Sequence, residues 1–440
     1  MPRLLSSLAA LFAVLTLPAQ AIDYTQAIAS DYDNHLAALW DHFHRNPELS
    51  LMEHKTAARL SKELRSAGFT VAENIGGTGI VAIMKNGKGP MVMVRADMDG
   101  LPVVEASGLP NASTATQIDW DGNEVGVMHA CGHDVHITAL VGTARYMAKN
   151  KDAWSGTLML IGQPAEERGP GASAMMADNI WDRFGQPDYA LAFHVDANSE
   201  AGKVTVSEGS PYAGADTVDI TVHGIGAHGA SPHQGKDPVV IASQIVLNLQ
   251  TIVSREIAPR DSAVITVGAF HAGTKHNIIS NRADLQLTVR SLNPRVRHQL
   301  LSAIVRVAKG TARTAGMPED KLPDVVVSEF SYPPTFNDKA MARHVRGVLV
   351  EQMGEEMLLA PREGGGMGAE DFGFFTTDPY IPSVYFSVGG TPRADFEAAK
   401  NGGPPVASHH SPLFKISPEP SVRSGVEATV HILMDLMPTS

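Results

Sequence analysis

The sequence predicts an α/β chain in which a mainly parallel sheet flanked by helices is interrupted by an inserted α+β unit. Three observations predict it. Up to residue 212, short apolar runs of strand length alternate with stretches of helical period, the pattern of strands joined by helical crossovers. These runs break off into acidic or imidazole side chains, at Asp97 and Asp99, at Glu166 and Glu167, and at His194. Ligand sites of parallel sheets lie beyond such strand ends. Between 215 and 330 the rhythm changes to strand, helix, strand, strand, helix, strand, a compact two-layer unit.

In order, residues 24 to 45 place Ile28, Tyr32, Leu36, Leu39, Trp40 and Phe43 at helical spacing, and Pro47 stops that helix. A second helix fits 54 to 67 and closes at Gly68. Residues 81 to 85 and 91 to 95 are apolar strands split by Asn86-Gly87-Lys88-Gly89, and the second runs into Ala96-Asp97-Met98-Asp99-Gly100. A helix from about 135 to 149, the strand Thr157 to Ile161 and the strand 189 to 193 follow. In the inserted unit, 215 to 224, 263 to 270, 282 to 291 and 323 to 330 read as strands, and 237 to 254 and 295 to 315 as helices. The strand Ser-Val-Tyr-Phe-Ser-Val-Gly-Gly (383 to 390) and a helix near 418 to 437 complete the chain, and no internal repeat or phosphate-cradling loop is present.

The 440 residues suffice for two domains and a large core, and 43% apolar with 19% charged residues is a globular composition. A net charge of -12 argues against nucleic-acid and anionic-membrane partners, which call for basic patches. The first 21 residues combine Arg3, an apolar run from Leu4 to Leu17 and the small-residue ending Ala19-Gln20-Ala21. That is the make-up of a cleaved secretory signal, too short for a membrane span. The expected mature protein starts near Ile22 and is soluble, periplasmic or secreted.

The chemistry centres on residues 126 to 140, which place His129, Cys131, His133, Asp134 and His136 close together. Cys131 is the only cysteine, so no disulfide can form within the chain. Cys131-Gly132-His133 sets a soft thiolate and an imidazole around a glycine that can turn both toward one point, a ligand pair for zinc, manganese or a similar divalent ion. Further ligands must come from elsewhere. Glu166 and Glu167 suit a metal hydrolase, because adjacent residues in an extended turn point different ways. One can bind metal while the other takes a proton from water. His194 closes an apolar strand, and His409 and His410 share a polar loop.

Met128-His-Ala-Cys-Gly-His-Asp134, Gln163-Pro-Ala-Glu-Glu-Arg-Gly169, Phe193-His-Val-Asp196, Gly226-Ala-His-Gly-Ala-Ser-Pro-His233 with Asp237-Pro-Val, Ala369-Glu-Asp-Phe372 and His409-His-Ser-Pro-Leu-Phe414 occur in this order. Together they resemble the metal-dependent aminoacylase and carboxypeptidase family that includes hippurate hydrolase and the indoleacetyl-amino-acid hydrolases. The resemblance implies two divalent ions, zinc or manganese, held by Cys131, His133, Glu167, His194 and His410, with Glu166 as general base. His410 is chosen over His409 because it directly precedes Ser-Pro. Asp97 and Asp99 would stand behind the ligands and orient them, which makes Asp99 part of the catalytic set. The inserted unit would be a ferredoxin-like lid that dimerises and lends His228 to the partner's site, while Asn277 and Arg290 would contact the substrate carboxylate. The implied division is a signal at 1–21, a catalytic domain at 22–212 and 329–440, and the lid at 213–328.

Two departures stand out. Ser280 replaces the usual proline after Asn-Ile-Ile, and 112 to 125 is slightly longer than in many members. The expected function is an exported homodimeric amidohydrolase acting on small N-acyl amino acids, with no nucleic acid or membrane partner. The alternatives are a metallocarboxypeptidase or dipeptidase, and a catalytically idle binder of acylated amino acids.

Overall fold

Four strands, Gly156–Gln163, Met91–Asp97, Tyr189–Glu200 and Ser383–Thr391, run parallel at the centre of a seven-stranded sheet. Thr70–Ile75 and Gly79–Asn86 finish one edge and Val204–Thr205 the other, all antiparallel to their neighbours. This structure, a computed structural model, describes residues 24–362 and 364–439, so the expected export signal lies outside the described residues. The central strands are apolar on both faces because both faces are covered. Val92, Val94, Leu158 and Leu160 pack toward the helices His133–Lys149 and Pro418–Leu436. Met93, Met159 and Ile161 pack the other way against Met175, Ile180, Phe372 and Phe375. The expected fold class holds.

The first helical stretch contains a π turn at Tyr32–Leu36 between Tyr24–Asp31 and Ala37–Arg45. Ile28, Tyr32, Leu36 and Trp40 are all buried and recur every four residues, wider than the 3.6 of an α-helix, and the wider turn keeps them on one face. The helix expected from 135 starts at His133, because Gly132 at φ 86 turns the chain at once. A Cβ on Gly132 would lie 2.9 Å from that of Val195, so the close approach also demands glycine. The edge strand Thr70–Ile75 and the hairpin of Thr116–Ile118 with Glu124–Gly126 lack the apolar runs that announce the others.

In a second sheet the strands Ala263–Ala272, Arg282–Ser291, Gly209–His223 and Asp324–Tyr332 follow in that order, each antiparallel to the next. Helices Pro238–Thr251 and Pro294–Thr314 pack on one of its faces around Val218, Ile220, Leu285, Leu287, Ile245 and Leu300. Asp237 and Asn293 cap these helices by accepting from Val239 N and Val296 N, and proline occupies the first turn of each. Gly209–His223 is longer than its sequence pattern: its first residues pair with Thr335–Asn337 and Gly366–Ala369 before it enters the second sheet. Position 213 therefore falls inside one continuous strand, as does position 328 inside Asp324–Tyr332. Among the described residues no helix is long and apolar enough to cross a membrane.

Candidate active site

Beyond the C-terminal ends of the parallel strands lies a cleft of about 410 Å³ lined by Cys131, Glu166, Glu167, His194 and His410. They come from four different local devices. Cys131 and His133 flank the left-handed Gly132, and His133 starts a helix. Glu166 and Glu167 follow strand Gly156–Gln163 through Pro164 and Ala165, the latter held at φ 50. His194 lies within strand Tyr189–Glu200, which continues past it. His410 stands at φ 64, and its backbone N donates to the Ala130 carbonyl at 2.9 Å, tying its loop to the Cys131 turn. Non-glycine residues at positive φ persist where surrounding structure over-determines them, and such positions cluster at active sites.

Donor atoms of Cys131, His133 and His194 lie within 4.8 Å of one another, as do those of Cys131, Glu167 and His410 and those of His133, Glu166 and Glu167. Cys131 Sγ is 3.4 Å from His194 Nε2, and Glu167 lies 3.9 Å from His133 Nε2 and 3.3 Å from His410 Nε2. His133 Nδ1 donates to the Asp99 carbonyl at 2.9 Å and His194 Nδ1 to the Val195 carbonyl at 2.5 Å. With Nδ1 committed to a carbonyl, each Nε2 is aimed into the cluster, where a metal ion would take the place of a second proton. His133 Nε2 and Glu167 Oε1 are buried with no hydrogen-bond partner, a costly state that a bound cation relieves.

Charge points the same way. Burial, then Glu370, Glu167, Asp371 and Asp97, pushes the Glu166 carboxyl well above the usual range. Burial with Glu167, Glu166 and Asp97 does the same to the Cys131 thiol. Burial opposes a charge on His133, but Asp97, Asp99 and Glu167 outweigh it and push the ring up to about 10. So much buried negative charge calls for positive charge among these side chains. The residues present fit divalent ions, the thiolate and imidazoles being soft and borderline donors and the carboxylates hard ones.

Behind the cluster, Asp97 Oδ1 accepts from His136 Nδ1 at 2.5 Å, while His136 Nε2 accepts from Val195 N at 2.8 Å. Both ring nitrogens are thus occupied, and burial drives His136 down to about 3, so it is a neutral brace. Asp99 Oδ2 accepts from Ser50 Oγ at 2.6 Å and from Glu167 N at 3.0 Å. His409 also lines the cleft, but its Nε2 is committed to the backbone, donating to the Val195 carbonyl at 2.9 Å.

Arg290 lines the cleft, its Nε donating to Thr288 Oγ1 at 3.1 Å. His228 and Asn277 do not line it. Both are exposed on the second-sheet unit, where Gly229 N donates to Asn277 O at 2.9 Å and His228 Nδ1 accepts from Ala230 N at 3.0 Å. The long 112 to 125 segment does reach the neighbourhood of the glutamate pair: Trp120 lies under the Arg168 guanidinium at 3.8 Å.

Sequence reading assigned no role to Arg95, Tyr212, Tyr332, Glu370 or Asp371. Tyr212 and Tyr332 wall the cleft. Fully buried Arg95 binds Asp97 at 2.7 Å, Glu370 at 2.8 Å and Asp371 at 3.1 Å. Glu370 also accepts from Tyr385 Oη at 2.6 Å and Asp371 from Gln163 Nε2 at 2.7 Å, so both acids are committed to this scaffold. The available signal was Arg95 itself, a lone cation closing an apolar strand.

Residues 93–416 match the model of peptidase family M20/M25/M40. The chain is 37% identical over 336 residues to the hippurate hydrolase of Campylobacter jejuni, covering 76% of this chain and 82% of that one. It is 35% identical over 350 residues to thermostable carboxypeptidase 2 of Saccharolobus solfataricus, covering 79% and 83%. In fold it resembles a Bacillus subtilis dinuclear metal-binding peptidase of the M20 family, with a TM-score of 0.74, 24% identity and coverage of 94% and 99%. With the cleft at the strand ends and this match across most of its length, the chain belongs to peptidase family M20/M25/M40 and is a hydrolase.

Proposed function

We propose that the chain is an exported amidohydrolase that uses two divalent metal ions, zinc or manganese, to cleave the amide bond of N-acyl amino acids. The observation that carries this reading is the convergence of donor atoms of Cys131, His133, Glu167, His194 and His410 at one cleft with Glu166 beside them. Those five residues would hold the ions, which would polarise the scissile carbonyl and make water more acidic. Glu166 takes the proton from the attacking water and delivers it to the leaving amine. Asp99 holds the Glu167 backbone, and Asp97 holds His136. Arg290, reaching the cleft from the strand Arg282–Ser291, binds the carboxylate of the amino-acid product half.

The second-sheet unit serves as lid and dimer contact. His228 and Asn277, exposed and outside their own cleft, act in the partner's site. The similarity to hippurate hydrolase supports an aromatic N-acyl amino acid as substrate. The similarity to a carboxypeptidase supports a second reading, hydrolysis of short peptides by the same machinery. The expected secretory signal supports export.

Turnover of N-benzoyl and N-acetyl amino acids and of dipeptides, with zinc, manganese or cobalt added, tests the proposal. N-acyl amino acids should be cleaved, chelation should abolish the reaction and metal should restore it. Full activity in metal-free protein rejects the mechanism, and turnover confined to dipeptides selects the peptidase reading.

A further inference from the structure

Glu53 has no exposed surface and does not line the cleft. It stands at the N-cap position of helix His54–Ser66, yet its side chain makes no capping bond there. Glu48 does that work instead, accepting from Thr56 N at 2.8 Å and Thr56 Oγ1 at 2.9 Å. The Glu53 carboxylate turns away to another part of the chain. Its Oε1 accepts from Ala165 N at 2.8 Å and from Leu51 N at 2.9 Å, and its Oε2 accepts from Thr78 Oγ1 at 2.5 Å.

Ala165 is the residue before Glu166, fully buried and held at φ 50. Its neighbour Pro164 has no N–H, so Ala165 N is the first donor after strand Gly156–Gln163. Left without an acceptor it would be a buried unsatisfied donor in a left-handed alanine, a doubly unfavourable state that would relax by rotating the turn. On the other side of Glu166, Asp99 Oδ2 accepts from Glu167 N at 3.0 Å. The N–H groups of the two residues on either side of Glu166 are therefore each held by a buried carboxylate from elsewhere in the chain.

We infer that Glu53 is a positioning residue for the hydrolysis, setting the direction of Glu166 by anchoring the N–H of Ala165. What matters at this position is the reach of an acceptor oxygen. This rests on the proposed role of Glu166 as base. A displacement of about 1 Å in a reacting group costs on the order of 10²-fold in rate.

The test compares Glu53→Gln, which keeps the length and an acceptor oxygen, with Glu53→Asp, which keeps the charge but is one methylene shorter. The aspartate variant should lose at least about tenfold more kcat than the glutamine variant, with KM and metal content alike in both. Equal kcat, or the reverse order, overturns the inference. In a Glu166→Gln background the difference between the two should vanish, and a difference that persists means that Glu53 acts through another group. If Glu166→Gln alone keeps full turnover, the base assignment fails and the inference falls with it. Equal kcat of the Glu53 variants beside an inactive Glu166→Gln overturns the positioning role alone. Should both Glu53 changes compromise folding, Thr78→Val leaves Glu53 in place and frees its carboxylate to rotate. That variant should lower kcat at unchanged KM, and unchanged kcat overturns the inference.

Discussion

Cys131 Sγ and His194 Nε2 face each other at 3.4 Å in the cleft. The Val195 carbonyl accepts a hydrogen bond from His194 Nδ1–H, so the nitrogen facing sulfur carries a lone pair. Two donors this close, with Glu167 and His133 beside them, are positioned to share a cation. Cys131→Ser should lower divalent-metal affinity by at least about tenfold, because a serine hydroxyl stays protonated where a thiolate binds. Metal content after dialysis against a weak chelator measures this, and an unchanged stoichiometry and affinity would remove Cys131 from the ligand set.

Glu166 and Glu167 should fail in different ways. Only Glu167 approaches both His133 and His410. Glu167→Gln should therefore lose metal, whereas Glu166→Gln should retain it and lose on the order of 10²-fold or more in kcat. Metal analysis of the two purified variants beside their turnover decides, and the opposite pattern exchanges the two roles.

The parts of this site that were legible in the sequence are those where chemistry interrupts a hydrophobic pattern. Asp97 closes an apolar strand, Glu166 follows one, and His194 ends the apolar run of a strand that itself continues to Glu200, and a parallel sheet brings such positions together. The bracing around them was hidden because it depends on distance in the chain. Nothing local tells that Arg95 will meet Glu370, 275 positions away. Nor does it tell that Glu53, at a helix start, will reach Ala165 rather than cap its own helix. The inserted unit was visible from its change of rhythm, but the ends of Gly209–His223 were not, since an extended chain can pass from one sheet to the next without a break.

Arg290 enters the cleft with its guanidinium in no salt bridge among the described residues. A cation so placed can form a charge-assisted bond to a substrate carboxylate. Arg290→Ala should raise KM for an N-acyl amino acid by about tenfold or more while kcat falls less, the signature of lost uniform binding. The matching amino-acid amide, which lacks the carboxylate, should show no such difference between wild type and variant. Equal effects on both substrates would exclude the contact.

His44 predicts a pH dependence of stability. Burial opposes charge on its ring, but Asp134 at 2.8 Å and Glu105 at 3.4 Å outweigh this and push it up to about 10. A folded value above the unfolded one near 6.5 means stabilisation that is complete below about pH 6.5 and fades as pH rises through about 10. His44→Gln should melt below wild type at pH 6, by on the order of 5 °C. The gap should narrow toward pH 10. Melting curves across this range measure it, and a gap constant with pH would mean that His44 contributes packing rather than charge.

His228 is exposed, outside its own cleft, and on a unit whose outer strand Ala263–Ala272 pairs on one side only among the described residues. In the proposed dimer it reaches the partner's cleft, where its ring donates a hydrogen bond to the oxyanion that develops on the carbonyl. Loss of one such donor costs about 3 to 4 kcal/mol. Homodimers of Glu166→Ala and of His228→Ala should each be nearly inactive. After subunit exchange, a mixed dimer holds one site lacking both groups and one site with its own Glu166 and the partner's His228. Only the second site can work. Mixing the two inactive proteins should therefore restore activity, with one competent site in each mixed dimer. Exchange followed with tagged subunits, but with no recovery of turnover, would place His228 in its own subunit or outside the chemistry altogether.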